Sequence, residues 1–156
     1  MSTAHPAMIR QARLDDAFAL ACLSRVLAAH VADPDPGSDT SLIVEACFGP
    51  ERWLEILVAE QGDVILGLAA YGRRFELHTR QKTLWLADLV VAEGARGQGI
   101  GALLVQAVSR RALDLECRAV VVDLWVSNTS ARSFYDRAGA RRATDIEIRV
   151  IDLPPG

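Results

Sequence analysis

Leu84-Trp85-Leu86-Ala87-Asp88-Leu89-Val90-Val91, followed shortly by Arg96-Gly97-Gln98-Gly99-Ile100-Gly101, is the stretch whose reading decides the fold. The first part is a nearly continuous apolar run, as expected of a strand covered on both faces. Asp88 alone interrupts it. The second part is rich in glycine, which lets the backbone take positive φ and come close to a ligand. Behind it Ile100, Leu103, Leu104, Ala107 and Val108 recur at helical spacing to about Glu116, with Gln106, Ser109 and Arg110 opposite. Strand, glycine turn and helix in that order leave free N–H groups and the positive end of a helix dipole at the turn. That is a site for an anion such as a pyrophosphate, and Arg96 adds a guanidinium to it.

The spacing removes two owners of such a loop. No Gly-Lys-Ser/Thr follows, so it is not a nucleoside-triphosphate P-loop. The glycines fall as GxGxG rather than GxGxxG, which is not the dinucleotide fingerprint. A helix packed tightly on its strand, with the glycines needed only for close approach, is the structural reading of the same residues.

Outward from this stretch the pattern is that of one α/β domain. Residues 1–7 read as a loose tail and residues 8–153 as the domain. Met8 to Gln11 forms a short strand, and Asp15 and Asp16 open a helix, where acidic residues suit the dipole. Asp33-Pro34-Asp35-Pro36-Gly37 stops it, and Thr40 to Phe48 is a short amphipathic segment. Glu55–Glu60 and Val64–Phe75 flank the turn Gln61-Gly62-Asp63 as an antiparallel hairpin, and His78–Thr83 is a second turn. Ala119 to Val126 is another buried-type strand. Ser127-Asn128-Thr129-Ser130 caps a short helix carrying Ala131, Phe134, Tyr135 and Ala138. Arg141 to Leu153 is expected to be a last strand. The order is β-α-α-β-β-β-α-β-α-β, with a mostly antiparallel front half and one helical crossover between central strands.

Composition sets the class. Hydrophobic residues make up 51% and charged ones 24% of 156 residues, ordinary for a folded domain. A net charge of -3 leaves no basic footprint for nucleic acid. Cys22, Cys47 and Cys117 form no CxxC pair and read as reduced thiols filling apolar space in a cytoplasmic protein. His5, His30 and His78 show no metal-ligand spacing, so no metal is expected. Met1 to Met8 lacks the basic and apolar regions of a secretory signal, and the longest apolar run, Ala17 to Leu23, is too short to span a membrane.

Arg96, Gly99 and Gly101, the preceding strand Asp88-Leu89-Val90-Val91 and the later Asn128–Ala140 segment together resemble the GNAT acetyltransferase superfamily, most of all its diamine (spermidine/spermine and thialysine) type. That resemblance implies a mixed, mostly antiparallel sheet flanked by helices, its central strands splayed around acetyl-CoA. It implies that backbone groups of Leu89, Val90 and Val91 pair with the pantetheine arm. N–H groups of Gly97, Gln98, Gly99, Ile100, Gly101 and Ala102, with Arg96, would hold the pyrophosphate, and Asn128 and Ala131 would lie on the opposite side. Tyr135, in Phe-Tyr-x-x-x-Gly-Ala, matches the family's general acid, and a phenol can donate a proton to a thiolate. A core tyrosine anchoring the helix is the other reading of that position.

The base is less marked. The diamine type carries Leu-Glu-Asp where this chain has Leu86-Ala87-Asp88, so its glutamate is absent. Asp88 remains, either facing the cleft to receive a cationic amine or a water relay, or bonded to a neighbouring loop. Asp123 raises the same question, while Glu76 and His78 read as a solvated loop. Val91 N–H would meet developing oxyanion charge. Trp85 and Trp125 read as core or cleft lining. The expected activity is acetylation of a primary amine on a small molecule. Acetylation of a protein N-terminus or lysine, and a non-catalytic acyl-CoA-binding module, are the alternatives. A homodimer is expected by resemblance, with Ile146, Ile148, Val150 and Ile151 of the last strand at its interface or in the monomer's core.

Overall fold

In the computed structural model, which describes residues 5–156, the apolar run becomes the fourth of five strands. The elements are β1 (Met8–Gln11), α1 (Ala17–His30), α2 (Ser41–Phe48), β2 (Glu55–Gln61), β3 (Val64–Glu76), β4 (Gln81–Val91), α3 (Ile100–Asp114), β5 (Ala119–Val122) and α4 (Thr129–Arg137). Strand order in the sheet follows chain order, β1-β2-β3-β4-β5. The first three pairings are antiparallel, and β4 and β5 are parallel, joined through α3. Of the tail 1–7, residues 1–4 lie outside the described residues, and residues 5–7 carry no regular structure.

Alternation along the strands builds two cores. On one face Leu20 and Leu23 of α1 and Cys47 of α2 pack on Ile56, Val58, Leu68, Ala70 and Val90. On the other, Leu104, Val108 and Ala112 of α3 pack on Ala59, Ala69, Tyr71, Leu84 and Leu86, with Tyr135 of α4 in the same cluster. Leu84, Leu104 and Val108 are wholly enclosed, each contributing roughly 1.5–3 kcal/mol by leaving water. The entry to α1 is fixed by Arg10, which donates to both Asp16 and Glu60 at 2.8 Å, while Asp16 accepts from the Arg13 amide at 2.7 Å. Among the described residues no helix is long and apolar enough to cross a membrane.

Three expectations fail. The last strand does not form: residues 141–153 carry no ladder bonds, and Ile146, Ile148, Val150 and Ile151 are exposed. An alternating pattern makes a strand only where a sheet edge receives it, and β5 is only four residues long. β5 itself stops at Val122 instead of Val126, because β4 supplies no partner beyond Leu86. Cys22 is exposed rather than packed. It lies one turn beyond exposed Phe18, on the outward side of a helix apolar almost all round, so composition alone could not tell which face was inward.

Candidate active site

The site begins where two strands part. β5 pairs with β4 from Thr83↔Ala119 to Leu86↔Val122 and then leaves, so β4 has no neighbour on that side from Ala87 to Val91. Trp85 Nε1 donates to Asp123 Oδ2 at 3.1 Å and ties the two strands at the parting point. On its other side β4 stays paired with β3, and the Ala92 amide donates to Leu66 O at 2.8 Å. Peptide groups alternate along an antiparallel ladder, so those of Leu89 and Val91 turn to the open edge and those of Val90 turn to β3. Val90 therefore differs from its two neighbours: its peptide is spent in the sheet, and its side chain packs in the core beneath α1.

A bulge aims the carboxyl. Register shifts between Ala70↔Asp88 and Tyr71↔Leu86, leaving Ala87 as the extra residue of β4. Without it Asp88 would share the face of Leu86, packed toward α3. With it Asp88 stands opposite Ala70, on the face covered by α1 and α2.

A cavity of about 660 Å³ runs through the gap and is lined from both sides of the sheet. Asp88, Leu89, Val90, Val91, Arg96, Gly101, Asn128, Ala131 and Tyr135 all border it. Asp88 is open to solvent through this cavity, yet the surrounding protein pushes its carboxyl above the usual range by desolvation. Tyr135 is buried, and burial together with the charge of Asp88 pushes its phenol up to about 12. It stays protonated at any physiological pH. The Cys47 thiol is also pushed up, by burial first and then by Asp88.

The glycine turn shows which residues need glycine and why. Gly97 and Gly99 hold φ of 75° and 80°, with open space where a side chain would start. Backbone conformation, not crowding, selects glycine there. Gly101 is different: a Cβ would stand 3.3 Å from the Phe134 ring, a tight contact, so glycine eases the approach of α3 to α4. The glycines thus serve two different ends, backbone conformation at Gly97 and Gly99 and helix–helix approach at Gly101. The first intrahelical donor is Leu103, bonded to Gly99 O at 3.1 Å, and the amides before it at the head of α3 have no helical acceptor. Gln98 Nε2 turns back to Gly94 O at 3.4 Å. Gly97, Gln98, Gly99, Ile100 and Ala102 lie at the head of α3 rather than in the cavity wall, and the Ile100 side chain is in the core. Arg96 donates through Nε to Val91 O at 3.2 Å, clasping the end of β4 to the turn.

Asn128 caps α4, its Oδ1 accepting from the Ala131 amide and from Ser130 Oγ at 3.1 Å. That occupies its acceptor and the Ala131 N–H, and leaves Nδ2 as the donor Asn128 has for a ligand. Asp123 lines the cavity but is tied to Trp85, and Trp125 lines it as an exposed side chain. Glu76 and His78, at the far end of the β3–β4 hairpin, do not border it. Sequence reasoning missed the wall made by α1, α2 and β2, including Leu20, Leu27, Ile43 and Leu54. Those positions carry no local motif, only apolar periodicity indistinguishable from core.

Splayed strands, amides without a helical acceptor at the head of α3 and a cavity at the gap make up the site. The sequence matches the profile of the Acetyltransferase (GNAT) family over residues 28–140. It is 30% identical over 151 residues to the thialysine N-epsilon-acetyltransferase of Bos taurus and 31% identical over 153 residues to that of Sus scrofa, each alignment covering 90% of this chain and 87% of the relative. The structure of a possible acetyltransferase from Clostridium difficile 630 superposes with a TM-score of 0.86 at 19% identity, covering 97% of this chain and all of the other. The chain belongs to the GNAT acetyltransferase family, and its sequence is of the diamine-acetyltransferase type that the thialysine enzymes represent.

Proposed function

We propose that the protein transfers the acetyl group of acetyl-CoA directly to a primary amine of a small molecule. The observation that carries this reading is the cavity bordered by Asp88, Tyr135, the open edge of β4, and Arg96 and Gly101 on either side of the glycine turn. The residues present fit acetyl-CoA. Leu89 and Val91 offer strand-like peptide groups to a pantetheine arm, Asn128 Nδ2 can donate from the facing side, and the free amides from Gly97 to Ala102 suit a pyrophosphate. Ala131 would line the arm's path by its side chain, and Arg96 would act by holding the turn in place as well as by its charge.

Acetyl-CoA supplies the activated acyl carbon and a thiolate leaving group. Asp88 accepts a proton from the incoming ammonium, directly or through water, and so frees the nitrogen lone pair for attack. Its raised carboxyl suits that work, since proton transfer is most efficient when donor and acceptor are closely matched. The Val91 N–H donates to the carbonyl oxygen as negative charge develops there. Tyr135 gives its phenolic proton to the departing sulfur, and the second proton of the attacking nitrogen passes to the phenolate, directly or through water, restoring the phenol. The relatives named for thialysine support a small amine as acceptor.

Thiol release from acetyl-CoA, measured across amines, amino acids, aminoglycosides and peptides, tests the reading. Turnover is expected on a small primary amine, and Tyr135→Phe should lower kcat by about 10²–10⁴-fold while acetyl-CoA binding is kept. Undiminished turnover in that variant removes Tyr135 as the acid, and no affinity for acetyl-CoA removes the reading as a whole. The proposal includes a cytoplasmic setting, suited to three free thiols, and a homodimer. The second copy would cover the apolar residues of 141–153 by adding that segment to the open outer edge of β5.

A further inference from the structure

The acceptor side of the cavity has a composition of its own. Leu20 and Leu27 of α1, Ile43 of α2, Leu54 and Ile56 around the start of β2, and Leu68 of β3 all border it. They belong to the α1–α2 side of the sheet, the side to which the bulge at Ala87 turns Asp88. The other charged side chains bordering the cavity stand elsewhere. His30, in the last turn of α1, and Asp33 just after it are exposed, and they also border a second cavity of about 430 Å³ against Ser127–Ser130. Arg96 is clasped to Val91 O, and Asp123 is bonded to Trp85. Among the described residues that border the cavity, Asp88 is the carboxyl that the sheet itself turns toward this aliphatic wall.

We infer that the acceptor is a monoamine with an apolar body, its nitrogen at Asp88 and its carbon skeleton along the α1–α2 wall. The inference rests on the acyltransferase reading above and narrows it. A second ammonium on the same molecule would lie against leucine and isoleucine carbon, where an unpaired charge is costly. An amino-acid head group would meet the same wall with two charges. An alkyl or aryl end would instead exchange water for hydrocarbon, which is favourable in proportion to the area covered.

Three acceptors with a similar reach separate the cases: hexylamine, hexamethylenediamine and lysine, whose far ends are a methyl, an ammonium and an amino-acid head. With acetyl-CoA saturating, kcat/KM for hexylamine should exceed that for either of the others by at least about tenfold. An equal or higher value for the diamine or for lysine overturns the inference, as does turnover of none of the three by a chain that binds acetyl-CoA. Acetyl-CoA affinity, read by calorimetry on the same preparation, keeps the two levels apart. Binding with a preference for the diamine sinks only the monoamine assignment, whereas no binding sinks the acyltransferase reading beneath it. Leu27→Glu adds a carboxylate to the wall at a half-buried position and should bring the diamine's kcat/KM to within a few-fold of hexylamine's. An unchanged ratio in a variant with native acetyl-CoA affinity counts against the wall as the source of selection.

Discussion

The carboxyl of Asp88 lies opposite Ala70 with the Cys47 thiol and the Tyr135 phenol sharing its surroundings, and desolvation is the one influence that shifts it. Its folded-state pKa is raised, so the native chain keeps that proton to higher pH than the unfolded chain does. Between the ordinary carboxyl value and the raised one, unfolding releases a proton, and stability falls as pH rises through that window. Above it the full cost remains. Asp88→Asn should therefore raise Tm at neutral pH, with the gain vanishing as pH drops below about 4, where both side chains are uncharged. The same variant should lower kcat/KM by about 10²–10⁴-fold. Melting curves and rates across pH check both halves, and a lower Tm at neutral pH would mean that the carboxylate has a stabilising partner. An aspartate that lowers stability in return for reactivity is a familiar feature of active sites. The identity of this residue was legible in the run Leu84–Val91, since a carboxylate in apolar company asks for a reason. Its aim was not, because one extra residue in β4 reverses which face it takes. Tyr135 was singled out by resemblance alone, and its tertiary setting, buried near that carboxylate, accounts for a phenol that holds its proton.

α3 shows how element ends carry both function and strain. Its head is left-handed at Gly97 and Gly99, where glycine is at ease. Its tail closes with the Cys117 amide on Ala112 O at 2.8 Å and Glu116 at a φ of 57°. That is the position at which helices favour glycine, and a side chain there is held in a conformation L-residues disfavour. The ion pair of Glu116 with Lys82, 3.5 Å long and largely exposed, offsets little. Glu116→Gly should therefore stabilise the fold by about 0.5–1 kcal/mol, read as an increase in the urea midpoint with an unchanged m-value. A loss of stability would show that the Lys82 pair contributes more than its exposure implies. Helices α2, α3 and α4 were readable from periodicity and capping residues, because both are local properties. The length of β5 was not, since Leu124, Trp125 and Val126 have strand-forming character but no β4 partner to bond beyond the last pair, Leu86↔Val122.

Across the whole molecule the sheet ends at β1 on one side and at β5 on the other, and residues 141–153 lie on neither edge. An unpaired edge and an unpacked apolar segment are complementary needs. In the proposed homodimer a second copy would satisfy both by β-strand addition. Light scattering or sedimentation should find the full chain dimeric at micromolar concentration, and a chain ending at Ala140 monomeric. A monomeric full chain would leave the apolar segment for some other partner and end the dimer proposal. By itself the sequence determined the elements from β1 to α4, their order, the glycine turn and the capping asparagine, because periodicity, φ preference and capping act over a few residues. The tertiary structure decided the rest: where β5 leaves β4, which peptides of β4 are left open, which face receives Asp88, and which apolar side chains wall the cavity. These depend on strand register and on packing between segments far apart in the chain, and the residues from Leu20 to Leu68 that form this wall carry no local pattern to distinguish it from the core.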